Sequence, residues 1–110
     1  MDIEKLKTSV IDNINAQQHK LGELSLRIHS SPEVAFEEVK AADWLTQYLD
    51  ESGFAIERGV CELPTAFRAT YGHGKPVIGL MAEYDALPAI GHACGYNLIS
   101  AATVGAASAS

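Results

Sequence analysis

Glu83, Asp85, His92, Cys94 and Tyr96 fall within one short stretch of the chain, EYDALPAIGHACGY. A thiolate and an imidazole are good donors to zinc and similar ions, and carboxylates serve harder ones. The two acids are two residues apart; the His, Cys and Tyr alternate, with Gly91 and Gly95 among them. Just upstream, residues 77–82 form an apolar run, Val-Ile-Gly-Leu-Met-Ala, preceded by Gly74, Lys75 and Pro76. Such a run reads as a buried strand, although periodicity does not separate it from a short buried helix. Open α/β sheets carry their sites just past the carboxyl ends of strands, which is where these donors stand. A nucleophilic role for Cys94 beside His92 is the weaker reading, because no third group is identifiable to orient the pair.

The rest of the chain must position this stretch. It has 110 residues, room for one domain with one modest core. The composition, 47% hydrophobic and 20% charged, is that of a globular protein. Net charge is −6, and the basic side chains are not clustered, which excludes nucleic acid and anionic membrane as natural partners. Two cysteines, Cys61 and Cys94, are too few for a disulfide framework, so a reduced, cytoplasmic setting is expected. No signal core or membrane-length apolar run is present. Residues 76–110 carry only Glu83 and Asp85 as formal charges. A segment so poor in charge expects cover from other protein, whether the remainder of a larger domain, a second copy or a partner chain. The sequence closes on AATVGAASAS, inside a helical pattern without a stop signal, and the expectation is an N-terminal piece of a larger catalytic domain.

Apolar side chains at Ile3, Leu6, Val10, Ile14, Leu21, Leu24 and Ile28 predict one long amphipathic helix over residues 2–29, with loosening near Gly22. Ser30, Ser31 and Pro32 end it. His29, in the last turn, suits the helix dipole. A second helix is expected from Pro32 or Phe36 to Ser52, with Glu33, Glu37 and Glu38 at its positive end and Gly53 as its stop. Its buried stripe would be Val39, Ala42, Leu45, Tyr48 and Leu49, and its acidic run a solvated face. Residues 54–61 and 65–71 read as strands, the second with one wetter face. Residues 72–76 read as a hairpin loop into the apolar run, with His73 exposed at its tip, and the small-residue tail as a helix packed closely on a sheet. The fold class is therefore α/β: two leading helices, strands of a mixed sheet and a buried helix.

The order of residues in AEYDALPAIGHACGYN resembles the motif of the M-twenty family of metallopeptidases and amidohydrolases. IHSSPEVAFEE upstream resembles the family's His-x-x-Pro-Glu segment, and LPTAFRATYG is similar to the strand pair that follows it. The wording of the Gly-His-Ala-Cys-Gly piece resembles most the family's dipeptidase branch, within its aminoacylase and aminobenzoyl-glutamate hydrolase-like group. The resemblance implies a catalytic domain with two divalent metals, zinc by preference, and an inserted lid domain absent from these residues. It implies hydrolysis of an amide bond in an acyl-amino acid or small dipeptide, by a water whose pKa the metals lower from about 15.7 towards 7. It makes Cys94 a metal ligand and Asp85 a supporting carboxylate, with Glu83 and His92 as further support. Tyr96 occupies the place of a family ligand histidine, and a phenol with a pKa of about 10 is a poor donor to zinc at neutral pH. No catalytic base falls within this chain, so the chain alone is expected to be inactive. Two other functions stay open on the residues: a non-catalytic module associated with an intact partner, favoured by Tyr96, and a small thiol or metal binder using Cys94 and His92.

Overall fold

The computed structural model describes residues 2–110. It contains three helices, α1 (Ile3–Ser30), α2 (Val39–Glu51) and α3 (Tyr96–Ala109), and two short strands, β1 (Ala55–Arg58) and β2 (Phe67–Thr70). The α/β expectation is borne out by these helices and a small antiparallel sheet.

The first helix starts where Asp2 Oδ1 accepts from the backbone N–H of Glu4 at 3.0 Å and of Lys5 at 3.3 Å, satisfying two otherwise orphaned donors. It runs without a break through Gly22 and ends at Ser30, ahead of Pro32, with His29 in its last turn as expected. Only its C-terminal half is packed. Leu24, Ser25 and Ile28 are buried, while Ile3, Leu6, Val10 and Ile11 stay exposed.

The second helix begins later than the sequence predicts, at Val39 rather than Pro32 or Phe36. Residues 34–37 instead make a turn closed by the Glu37 N–H on the Val34 carbonyl, with Phe36 at φ 70°. Left-handed backbone at Phe36 is incompatible with a helical turn there. Ala42, Leu45 and Leu49 are buried as expected, Tyr48 is half-buried, and Val39 is exposed. Gly53, at φ 93°, supplies the expected stop. The acidic run is not wholly solvated: Glu33 Oε1 and Oε2 accept from Ala41 N and Lys40 N at 2.8 and 3.0 Å, and Glu38 Oε1 accepts from Thr65 Oγ1 at 3.3 Å.

The strands are shorter than expected and pair antiparallel, Ala55 opposite Thr70 and Glu57 opposite Arg68. Their connection is residues 59–66, and residues 72–76, expected as a hairpin loop into the apolar run, follow β2 without leading into a strand. It contains a 3-10 turn at Val60–Glu62 in which Cys61 has φ 55°, so Cys61 leaves the strand. Phe67 and Ala69 face the helices half-buried, while Arg68 and Thr70 face outward, the expected wetter face.

Two corrections concern the C-terminal third. Residues 77–82, expected as a buried strand of a mixed sheet, form no strand. Val77, Ile78 and Met81 are 85%, 81% and 84% exposed. Among the described residues no backbone N–H or C=O of this run pairs with another strand, and a strand without a ladder has nothing to hold it. Among the described residues the run's hydrogen bond to the rest of the fold is from the Thr103 hydroxyl, which donates to the Met81 carbonyl at 2.9 Å. The tail helix, expected to lie on a sheet, lies on α1. Asn97 faces Ser25, Gly105 faces Leu21 and Ser108 faces Gln17, so α3 runs antiparallel to α1. Gly105 permits the close approach: a Cβ there would stand 2.8 Å from Leu21 Cδ1.

The core is the meeting of these elements. Leu24 and Ile28 of α1, Ala42, Leu45 and Leu49 of α2, and Val104 of α3 pack together with Tyr84 from the loop before α3. Fully buried aliphatic side chains such as Ile28 and Leu45 each contribute about 1.5–3 kcal/mol. That core fixes the loop that carries the candidate site.

Candidate metal centre

The loop over residues 83–95 is placed by four contacts, starting with an inward tyrosine. Tyr84 is buried, its ring stacked on Phe67 at 5.8 Å between centroids, and its hydroxyl donates to the Thr65 carbonyl at 2.5 Å. Burial, and secondarily the nearby Glu38 carboxylate, push its phenol up to about 12. With Tyr84 turned inward, its neighbours are left outward: Glu83 is exposed and Asp85 half-buried. The second contact is the Ala86 N–H, which donates to the Glu33 carbonyl at 2.7 Å beside a bridge between Val34 and Ala86. Third, Leu87 and Gly91 exchange two backbone hydrogen bonds of 2.9 and 3.2 Å, closing a tight turn in which Ala89 takes φ 68°. Fourth, the Asn97 amide, buried at the start of α3, donates to Ser25 Oγ at 3.1 Å.

Between these ties lie the remaining donors. Cys94 is exposed and unpaired, as is Cys61. The next residue, Gly95 at φ 75°, turns the chain into α3, a conformation that suits glycine. Tyr96 is the first residue of that helix. The Glu83 carboxylate, then Cys94 and lesser effects of burial and Asp85, hold the Tyr96 phenol above its ordinary value. Glu83, Asp85, Cys94 and Tyr96 are thus electrostatic neighbours at the N-terminal end of α3. His92 is different. It is buried, neither ring nitrogen has a hydrogen-bond partner, and its ring lies 6.3 Å from that of His29. Burial and then His29 push its imidazole pKa down, against the pull of Asp85, the nearby Ile28 backbone and Glu33.

Cys94 offers an accessible thiol, and Glu83 and Asp85 offer carboxylates beside it. Among the described residues no three His, Cys, Asp or Glu side chains gather closely enough to hold an ion by themselves. A hollow of about 170 Å³ between α1 and α2, lined by residues including Lys20, Arg27, Trp44 and Tyr48, contains none of these donors. Sequence reasoning gathers the loop residues and misses what holds them. Glu33 reads in the sequence only as a favourable charge at a helix start, although its place in the Pro-Glu pair is a usable signal.

The chain is homologous to proteins named as a p-aminobenzoyl-glutamate hydrolase subunit and as dipeptidases, which are M-twenty family peptidases. It is 34% identical, over 96% of its length, to a p-aminobenzoyl-glutamate hydrolase chain of Escherichia coli (strain K12). It is 40% identical over 96% of its length to Xaa-Arg dipeptidase of Mus musculus, and 41% identical over 98% to that of Homo sapiens. The chain spans about a quarter of the length of these relatives, from 25% to 27%. No family model matches it. No helix among the described residues is long and apolar enough to cross a membrane.

Proposed function

We propose that this chain is a segment of a metal-dependent amidohydrolase that cleaves an amide bond in an acyl-amino acid or a small dipeptide. The observation that carries the reading is homology to amide-cleaving hydrolases, in a chain whose loop leading into α3 carries Glu83, Asp85 and Cys94 ahead of Tyr96. Cys94 holds a zinc ion as thiolate, and Asp85 supports the site from alongside. Zinc, when bound, lends charge that acidifies a water and polarises an amide carbonyl. The work of this chain's own residues is to hold that edge in place. Tyr84 anchors the two acids, Asn97 anchors the head of α3, and Gly95 lets Cys94 stand clear of the helix.

A phenol held above its ordinary pKa stays protonated at neutral pH, so Tyr96 offers a neutral hydroxyl rather than an anionic oxygen. This favours a second reading, a non-catalytic module that folds with or regulates an intact hydrolase in the cytoplasm. The two readings share one expectation for the 110 residues alone: weak zinc binding through Cys94 and no amide hydrolysis, because no positioned base is present. A zinc titration against a chromogenic chelator, with Cys94→Ser as the control, tests the metal assignment. Zinc binding abolished by Cys94→Ser supports it. Zinc binding unchanged by that substitution, or two tightly held ions in the monomeric chain, contradicts it.

A further inference from the structure

We infer that Glu33 is the positioning residue of the candidate site, acting through the backbone of the loop that carries Asp85 and Cys94. The inference rests on reading that loop as the site. Helix α2 has no capping side chain of its own: Glu38, at its N-cap position, makes no such hydrogen bond. Glu33 takes over from five residues upstream, its two carboxylate oxygens accepting from Lys40 N and Ala41 N. Those charge-assisted bonds fix the conformation of residue 33 against the positive end of α2. With the residue fixed, its carbonyl points at the Ala86 N–H, 2.7 Å away. One residue therefore ties the start of α2 to the loop one position after Asp85.

Tyr84, stacked on Phe67 and bonded to the Thr65 carbonyl, holds the position before Asp85, and Glu33 holds the position after it. Among the described residues, the Ala86 N–H on the Glu33 carbonyl, beside the Val34–Ala86 bridge, joins residues 72–90 to the connection between α1 and α2, while the Thr103 hydroxyl ties Met81 to α3. Pro32 adds a packing contact, since a Cβ on Gly91 would stand 3.8 Å from its own Cβ. The other end of the loop is held independently by Asn97 on Ser25. Loss of the Glu33 carboxylate frees residues 31–38, and with them the orientation of the carbonyl that Ala86 needs. The loop then pivots on α3, and Asp85 drifts relative to Cys94.

The test needs neither metal nor turnover, so it fails or succeeds separately from the proposed activity. Nitroxide labels are placed on two exposed positions, Ile90→Cys in the loop and Leu26→Cys on α1, in a Cys61→Ser, Cys94→Ser background, and the distance between them is measured by pulsed electron resonance. Exchange of the Ala86 amide is followed by NMR. The parent should give one narrow distance distribution and a protected Ala86 amide. Glu33→Ala should broaden the distribution and abolish the protection, with helix content retained. Glu33→Gln, which keeps an acceptor in place without the charge, should fall between the two. Asp2→Ala, which removes the cap of α1, lowers stability without touching the loop and should leave both readouts unchanged. A narrow distribution and a protected Ala86 amide in Glu33→Gln and Glu33→Ala would overturn the inference. So would equal broadening in Asp2→Ala, which would make the effect one of general stability. If Glu33→Ala does not fold, Glu33→Gln decides alone.

Discussion

Asn97 Nδ2 lies 3.1 Å from Ser25 Oγ and 3.4 Å from the Ser25 carbonyl, in a contact buried between α1 and α3. It fastens the head of α3, one residue after Tyr96, to the packed half of the long first helix. Replacing Asn97 by alanine leaves the buried Ser25 hydroxyl without this partner, and the expected loss is about 1–3 kcal/mol. Urea unfolding should show a lower midpoint at an unchanged slope. Adding Ser25→Ala should cost less than it does in the parent, because the two groups act as a pair.

Close approach of the same helices gives a second prediction. Valine at Gly105 must displace Leu21, whose Cδ1 lies 2.8 Å from the place of a Cβ. Overpacking of this kind costs about 1–3 kcal/mol. Gly105→Val should therefore destabilise the chain, and Leu21→Ala in the same molecule should restore part of the loss. Equal thermal unfolding of parent and Gly105→Val would show that α3 does not lie against α1 at this point.

Tyr84 makes stability depend on alkaline pH. Its phenol titrates near 10.0 when unfolded and at about 12 when folded, so between those values the folded state holds the proton more tightly. The neutral Tyr84 contribution is complete below pH 10 and is lost as pH rises through about 12. Partial solvent contact limits the change to about 1–2 kcal/mol. Urea midpoints measured across that window should fall in the parent more steeply than in Tyr84→Phe. At neutral pH, Tyr84→Phe should itself be less stable by about 1 kcal/mol, for the lost hydrogen bond to Thr65.

The exposed run of Val77, Ile78 and Met81 predicts self-association. Unpaired backbone edges and a contiguous apolar surface invite contact between copies. Sedimentation of the parent at low micromolar concentration should show larger species, and Val77→Lys with Met81→Lys should reduce them while leaving the unfolding midpoint unchanged. A monomeric parent would contradict this.

The helices are legible in the sequence because their signals are local. The spacing of Leu21, Leu24 and Ile28 marks the buried face of α1, Pro32 follows its end, and Gly53 marks the end of α2. The grouping of Glu83, Asp85, Cys94 and Tyr96 is legible because the loop is short. Two features are not. The run at residues 77–82 has the composition of a buried strand, but a strand exists only with a partner, and composition does not say whether one is present. The start of α2 depends on the left-handed turn at Phe36 and on a cap that comes from Glu33, outside the usual N-cap position, whose carbonyl also accepts from Ala86 far along the chain. His92 likewise gives no sign in the sequence that it is buried against α1.

The central claim is that the loop from Glu83 to Tyr96 forms the metal edge of an amide-cleaving site. Its most direct measurement joins this chain, in aligned register, to the remaining length of the mouse Xaa-Arg dipeptidase and follows hydrolysis of a dipeptide with and without chelator. The chimera carrying Tyr96→His should turn over substrate in a metal-dependent way, and Cys94→Ala should abolish that turnover. The chimera with Tyr96 should be slower by at least the factor of about 10–100 that a disturbed metal environment costs in affinity or activity. Metal-dependent hydrolysis by the 110-residue chain alone, or turnover in the chimera unaffected by Cys94→Ala, would contradict the account.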